Sequence, residues 1–80
     1  MNEKRIAPRN RVLKGGTIGL AGGGVISCTV RNISSTGAAL EVGSPIGVPD
    51  DFELVILADH FKRLCHVQWR KGQRLGVTFI

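Results

Sequence analysis

Tyrosine is absent from this chain of 80 residues, and tryptophan occurs once. Phe52, Phe61, Trp69 and Phe79 are its only aromatics. Binders of single-stranded nucleic acid stack bases on exposed aromatic platforms. So few rings, most at positions that read as inward-facing, argue against that class. Cysteine is scarce as well. Cys28 and Cys65 are too few for a disulfide framework. No CxxC or HxxxH spacing exists, and Cys65 and His66 are adjacent, so on a strand they point to opposite faces. No metal site is expected. Long apolar runs are missing too. The longest is Leu54–Ala58, far short of the ~20 residues that span a bilayer, so no membrane insertion is expected. No apolar stretch backs the basic N-terminus, which is not a secretory signal. A cytoplasmic location with reduced, buried thiols is the expectation. No Ser/His/Asp or Cys/His arrangement sits on elements that can meet, and Asp50-Asp51 reads as a solvated turn beside Pro49. The chain is not expected to be an enzyme, and no catalytic residue is assigned.

What is present is positive charge. Lys and Arg number 11 against 6 Asp and Glu, leaving +5. Residues 1–14 carry +4, from Lys4, Arg5, Arg9, Arg11 and Lys14 against Glu3. Residues 15–61 carry −4, and residues 62–80 carry +5 without one acid. The excess sits at the two ends and calls for an anionic partner.

The 42% apolar content supports a folded domain, and 80 residues leave room for one. Residues 1–11 offer little to pack and read as a flexible basic arm. From there the period is two. Val12, Lys14, Thr17 and Ile18 open a weak strand, expected to bulge at Gly15 and Gly16. Ala21-Gly22-Gly23-Gly24 is a turn. Val25–Ile33 alternates, with Ile26, Cys28 and Val30 on one face. Asn32-Ile33-Ser34-Ser35-Thr36-Gly37 is a turn built from local hydrogen-bonders. Ala38–Val42, Phe52–Ala58, Arg63–Arg70 and Arg74–Ile80 read as further strands. In the third of these, Cys65, Val67 and Trp69 are expected to face inward. Lys71-Gly72-Gln73 is a hairpin turn, and Arg70, Lys71 and Arg74 read as a solvated tip. Six short strands with little or no helix predict an all-β fold. The expected form is a small six-stranded antiparallel barrel over residues 12–80.

Two spacings carry the functional reading. Arg5-Ile6-Ala7-Pro8-Arg9 is RxxxR, and Asn32-Ile33-Ser34-Ser35-Thr36-Gly37 is NxSxxG. One hairpin fits between them, so both can meet at one mouth of a barrel. Arg31, beside the turn, reads as solvated or as a rim contact. Each spacing alone is common. Together, in this order and in a β-rich chain of this size, they resemble the PilZ domain, the bacterial receptor module for cyclic di-GMP. The resemblance extends over nearly the whole chain, through Ala38-Ala39, Val67-Gln68-Trp69-Arg70 and Gly76-Val77-Thr78-Phe79.

The resemblance implies a single PilZ-like domain over 1–80, with the arm wrapping over the ligand surface. It implies that Arg5 and Arg9 take guanine and phosphate contacts. An arginine fork matches the O6 and N7 acceptors of guanine, and it bonds phosphate oxygens in pairs. Asn32 would read a base edge or orient an arginine, where many members have Asp. Ser34 would bond a phosphate. Gly37 would let the backbone approach closely, in a conformation closed to residues with a Cβ. Lys4 occupies a neighbouring position that influences whether one or two nucleotides bind. The implied function is a second-messenger receptor that switches shape and relays binding to a downstream effector protein. No cofactor and no nucleic acid are implied, and the expected state is a monomer or a ligand-linked dimer. A second reading keeps the barrel as a protein-interaction adaptor that does not bind the nucleotide.

Overall fold

The two-residue period becomes six strands. The computed structural model describes residues 10–80. In it β1 is Asn10–Gly19, β2 Val25–Ile33, β3 Gly37–Val42, β4 Asp51–Ile56, β5 Phe61–Lys71 and β6 Arg74–Phe79. All neighbours are antiparallel, and the sheet closes in the order β1-β2-β3-β6-β5-β4. The seam between β1 and β4 is short, three residue pairs from Thr17↔Val55 to Gly19↔Glu53. The first half of β1 therefore runs on beyond the seam, paired with β2 alone.

The turns follow their residues. Gly23 takes φ 98° between β1 and β2, and Gly72 takes φ 58° between β5 and β6. These left-handed conformations suit a residue without a Cβ. Between β4 and β5 the chain makes one 3-10 turn, Leu57–Asp59, and leaves it through His60 at φ 53°. The expected strand through Ala58 thus stops at Ile56, and Leu57 and Ala58 are exposed. The link from β3 to β4 crosses to the far side of the barrel, and its Val48 is buried against the core.

Inward positions fill the barrel with Ile18, Val30, Leu40, Leu54, Ile56, Cys65 and Leu75, each fully buried. Among the described residues no polar or charged side chain is buried. Phe61 and Phe79 pack against the core with ring centroids 5.3 Å apart, and the Arg63 guanidinium lies over the Phe79 ring.

Three further details depart from the sequence expectation. The barrel begins at Asn10, two residues earlier than expected. The bulge in β1 falls between Arg11 and Lys14, while Gly15 and Gly16 pair regularly with Thr29 and Cys28. Trp69 is not core. The β5–β6 register shifts between Val67 and Trp69, and that single extra residue turns the indole outward, leaving it 46% exposed.

Both cysteines are free and buried, and burial pushes each thiol from 9.0 up to about 11. An unfolded thiol begins to release its proton near pH 9, while the folded one keeps it. The unfolded state then binds fewer protons, so stability falls as pH rises. The thiols' contribution is complete below pH 9.0 and is lost on the way to about 11. Urea midpoints measured from pH 8 to 10.5 are expected to fall. A Cys28→Ala variant should show a smaller fall, and an identical slope in that variant would contradict the assignment.

Candidate functional site

Three register shifts line up on the outside of the barrel. In β2 the shift lies between Val30, opposite Leu40, and Asn32, opposite Ala39. A bulge sets two residues against one, so Arg31 and Asn32 both face outward where strict alternation would separate them. In β1 the shift between Arg11 and Lys14 puts Val12 and Leu13 opposite the same corner, with Arg11 paired to Asn32. In β5 the shift brings Trp69 opposite Gly76.

The result is a row across the outer face: Asn32, Ala39, Gly76 and Trp69, each paired with the next. It spans three ladder steps of about 4.8 Å. The two middle residues are small, so the row forms a low platform between a polar end and an indole end. The indole lies across Gly76, where an added Cβ would run into its Nε1 and Cε2 atoms.

At the polar end a cavity of about 600 Å³ opens, lined by Arg11, Val12, Leu13, Arg31, Asn32 and Arg74. Arg31 Nη1 donates to Glu41 Oε1 at 3.0 Å, and both side chains are roughly one-third exposed. Such a pair is worth only about 0–1 kcal/mol in stability, so an anion can compete for the guanidinium. Arg11 and Arg74 make no ion pair among the described residues.

The turn beside this cavity is held by Ser34. Its Oγ accepts hydrogen bonds from the N–H groups of Thr36 and Gly37, each at 3.2 Å, and its own N–H donates to the Gly37 carbonyl at 2.8 Å. Phe79 N–H donates to the Thr36 carbonyl at 2.8 Å, which ties the turn to the end of β6. Gly37 does not have a positive φ. The reason the structure supplies for glycine is space: a Cβ there would collide with the Val77 carbonyl oxygen. The conformation closed to Cβ-bearing residues that is expected of Gly37 is thus replaced by a close approach of two strands.

Of the residues singled out in the sequence, Lys4, Arg5 and Arg9 lie outside the described residues. Asn32 lines the cavity, while Ser34 and Gly37 build the neighbouring turn rather than its wall. Sequence reasoning missed Arg11 and Arg74 and placed Arg31 at the rim. Arg31 and Asn32 come to one face only through a bulge that alternation does not announce. Arg74 arrives through the β3–β6 register, where it stands opposite Glu41. Among the described residues no group of His, Cys, Asp or Glu is placed to hold a metal ion, and no helix is long and apolar enough to cross a membrane.

The family model for the PilZ domain matches residues 3–80, nearly the whole chain. The chain belongs to the PilZ family. Comparison with curated proteins finds no match. PilZ domains are in general receptors for cyclic di-GMP and act as binding modules, not enzymes. In this PilZ domain NxSxxG divides between two jobs: Asn32 faces the cavity, and Ser34 with Gly37 fixes the turn that ends beside it.

Proposed function

We propose that this PilZ domain is a receptor for cyclic di-GMP, which binds on the outer face at the bulged corner of β1, β2 and β3. The observation that carries this is the cavity walled by Arg11, Arg31, Asn32 and Arg74. It is large enough for a nucleotide base or phosphate and has an excess of guanidinium groups. β1 enters beside it, with Asn10 paired to Ile33 and Arg11 to Asn32. Arg9 directly precedes Asn10 in the chain, so RxxxR is joined in sequence to the strand that borders the cavity.

In this reading Arg5 and Arg9 clamp the guanine edges and phosphates from the arm, with Lys4 adding charge toward a phosphate. Their forks bond O6 and N7 of guanine or pairs of phosphate oxygens. Asn32 meets a base edge or orients an arginine. Ser34 and Gly37 hold the turn in the shape that the ligand contacts. Closure of the arm over the nucleotide is the switch, an ordering step that a downstream effector protein in the cytoplasm would read.

Titration calorimetry with cyclic di-GMP tests this. Wild type is expected to bind at about micromolar affinity or tighter, Arg9→Ala to lose about 100-fold, and Ser34→Ala about 10-fold. Failure of wild type to saturate at high micromolar nucleotide would overturn the reading.

A further inference from the structure

Three arginines that belong to neither sequence motif converge on one cavity. Arg11 comes from β1, Arg31 from β2 and Arg74 from β6, separated in sequence by 20 and then 43 positions. Two bulges and one register produce the meeting. The acid nearest in the ladder is Glu41. It stands directly opposite Arg74 in the β3–β6 pairing but gives its carboxylate to Arg31. Among the described residues, one carboxylate stands against three guanidiniums at this corner, which leaves an excess of two positive charges.

We infer that Arg11, Arg31 and Arg74 form a phosphate subsite of the ligand cavity, with Glu41 as the internal anion that a phosphate displaces from Arg31. The inference rests on the cyclic di-GMP reading and extends it to residues on the rigid barrel. Guanidiniums suit this task because each keeps its charge and presents a planar fork to paired oxygens. Arg74 is fixed to the last strand and Arg11 to the first, so the subsite bridges parts of the barrel on either side of β2 and β3. A phosphodiester held there would cancel one of the two excess charges and leave Glu41 free to swing to Arg74, its register partner. Glu41 acts as a placeholder that keeps Arg31 oriented while the subsite is empty.

The test compares Arg74→Ala, Glu41→Gln and Lys62→Ala by calorimetry with cyclic di-GMP. Lys62 is an exposed β5 residue opposite Val55, so its removal changes net charge without touching the cavity. The expected results are a loss of about 10-fold or more for Arg74→Ala, a gain of about 3-fold for Glu41→Gln, and a change within about 2-fold for Lys62→Ala. Equal effects of Arg74→Ala and Lys62→Ala, with Arg9→Ala still losing about 100-fold, would overturn the subsite and leave the receptor reading intact. If wild type does not bind the nucleotide, the receptor reading fails and inorganic pyrophosphate becomes the probe. NMR signals of the arginine side chains then decide. Selective shifts at Arg11, Arg31 and Arg74 support an anion site, and uniform shifts over all described arginines overturn it.

Discussion

A Gly37→Ala variant is expected to lose about 3 kcal/mol of stability or more. The added methyl has no room, because the Val77 carbonyl oxygen occupies its place and the Thr78 Cα and Val77 carbonyl carbon stand 3.3 Å away. These are backbone atoms, and a backbone in a paired strand cannot rotate aside as a long side chain can. The two strands must separate, which weakens the ladder from Gly37↔Thr78 to Glu41↔Arg74. The bond from Phe79 N–H to the Thr36 carbonyl is strained with it. Gly43→Ala is the matched control, since nothing stands within 4 Å of its Cβ position. Urea unfolding should show a large drop in midpoint for Gly37→Ala and almost none for Gly43→Ala. Equal midpoints would mean that the strand contact is not what demands glycine.

Leu54→Ala should cost about 3–4 kcal/mol, near the middle of the range for buried leucines. Leu54 is fully buried on β4 and pairs across the seam with Ile18, itself fully buried. The seam has only three pairs, so the barrel closes there more by packing than by ladder bonds. Truncating the side chain opens a void where closure is weakest. A domain of this size has a total stability of roughly 4–12 kcal/mol, so the loss is a large share of it. Circular dichroism during thermal unfolding should show a transition shifted down by well over 10 °C. A shift of only a few degrees would mean that the neighbouring strands collapse into the space.

Much of the barrel was legible because alternation is a direct imprint of one face buried and one face wet. Val25–Ile33 has the bounds that its pattern announces, and Gly23 in the Ala21–Gly24 turn takes the positive φ that a tight turn asks of glycine. Two of the failures share one cause. A bulge adds a residue without leaving a mark in composition, and every side chain beyond it changes face. Trp69 looked inward by counting from Cys65 and Val67, and it is outward because the count breaks between Val67 and Trp69. Arg31 and Asn32 looked opposed, and they share a face for the same reason. Arg74 was not legible as a cavity residue because its place depends on which strand lies beside β6. That neighbour is β3, which is far away in sequence. Asn32, Ser34 and Gly37 were singled out through their spacing, and of these Asn32 lines the cavity. The reason for Gly37 was not legible, since a collision with Val77 exists only once β3 and β6 are paired.

The indole laid across Gly76 also makes the molecule self-reporting. It is the only tryptophan, there is no tyrosine, and it stands at the far end of the row that begins at Asn32. All near-ultraviolet emission excited at long wavelength therefore comes from one half-exposed ring on one face of the barrel. Intensity and colour of that emission report the pairing of β5 with β6 on that face, with no dye attached and no residue changed.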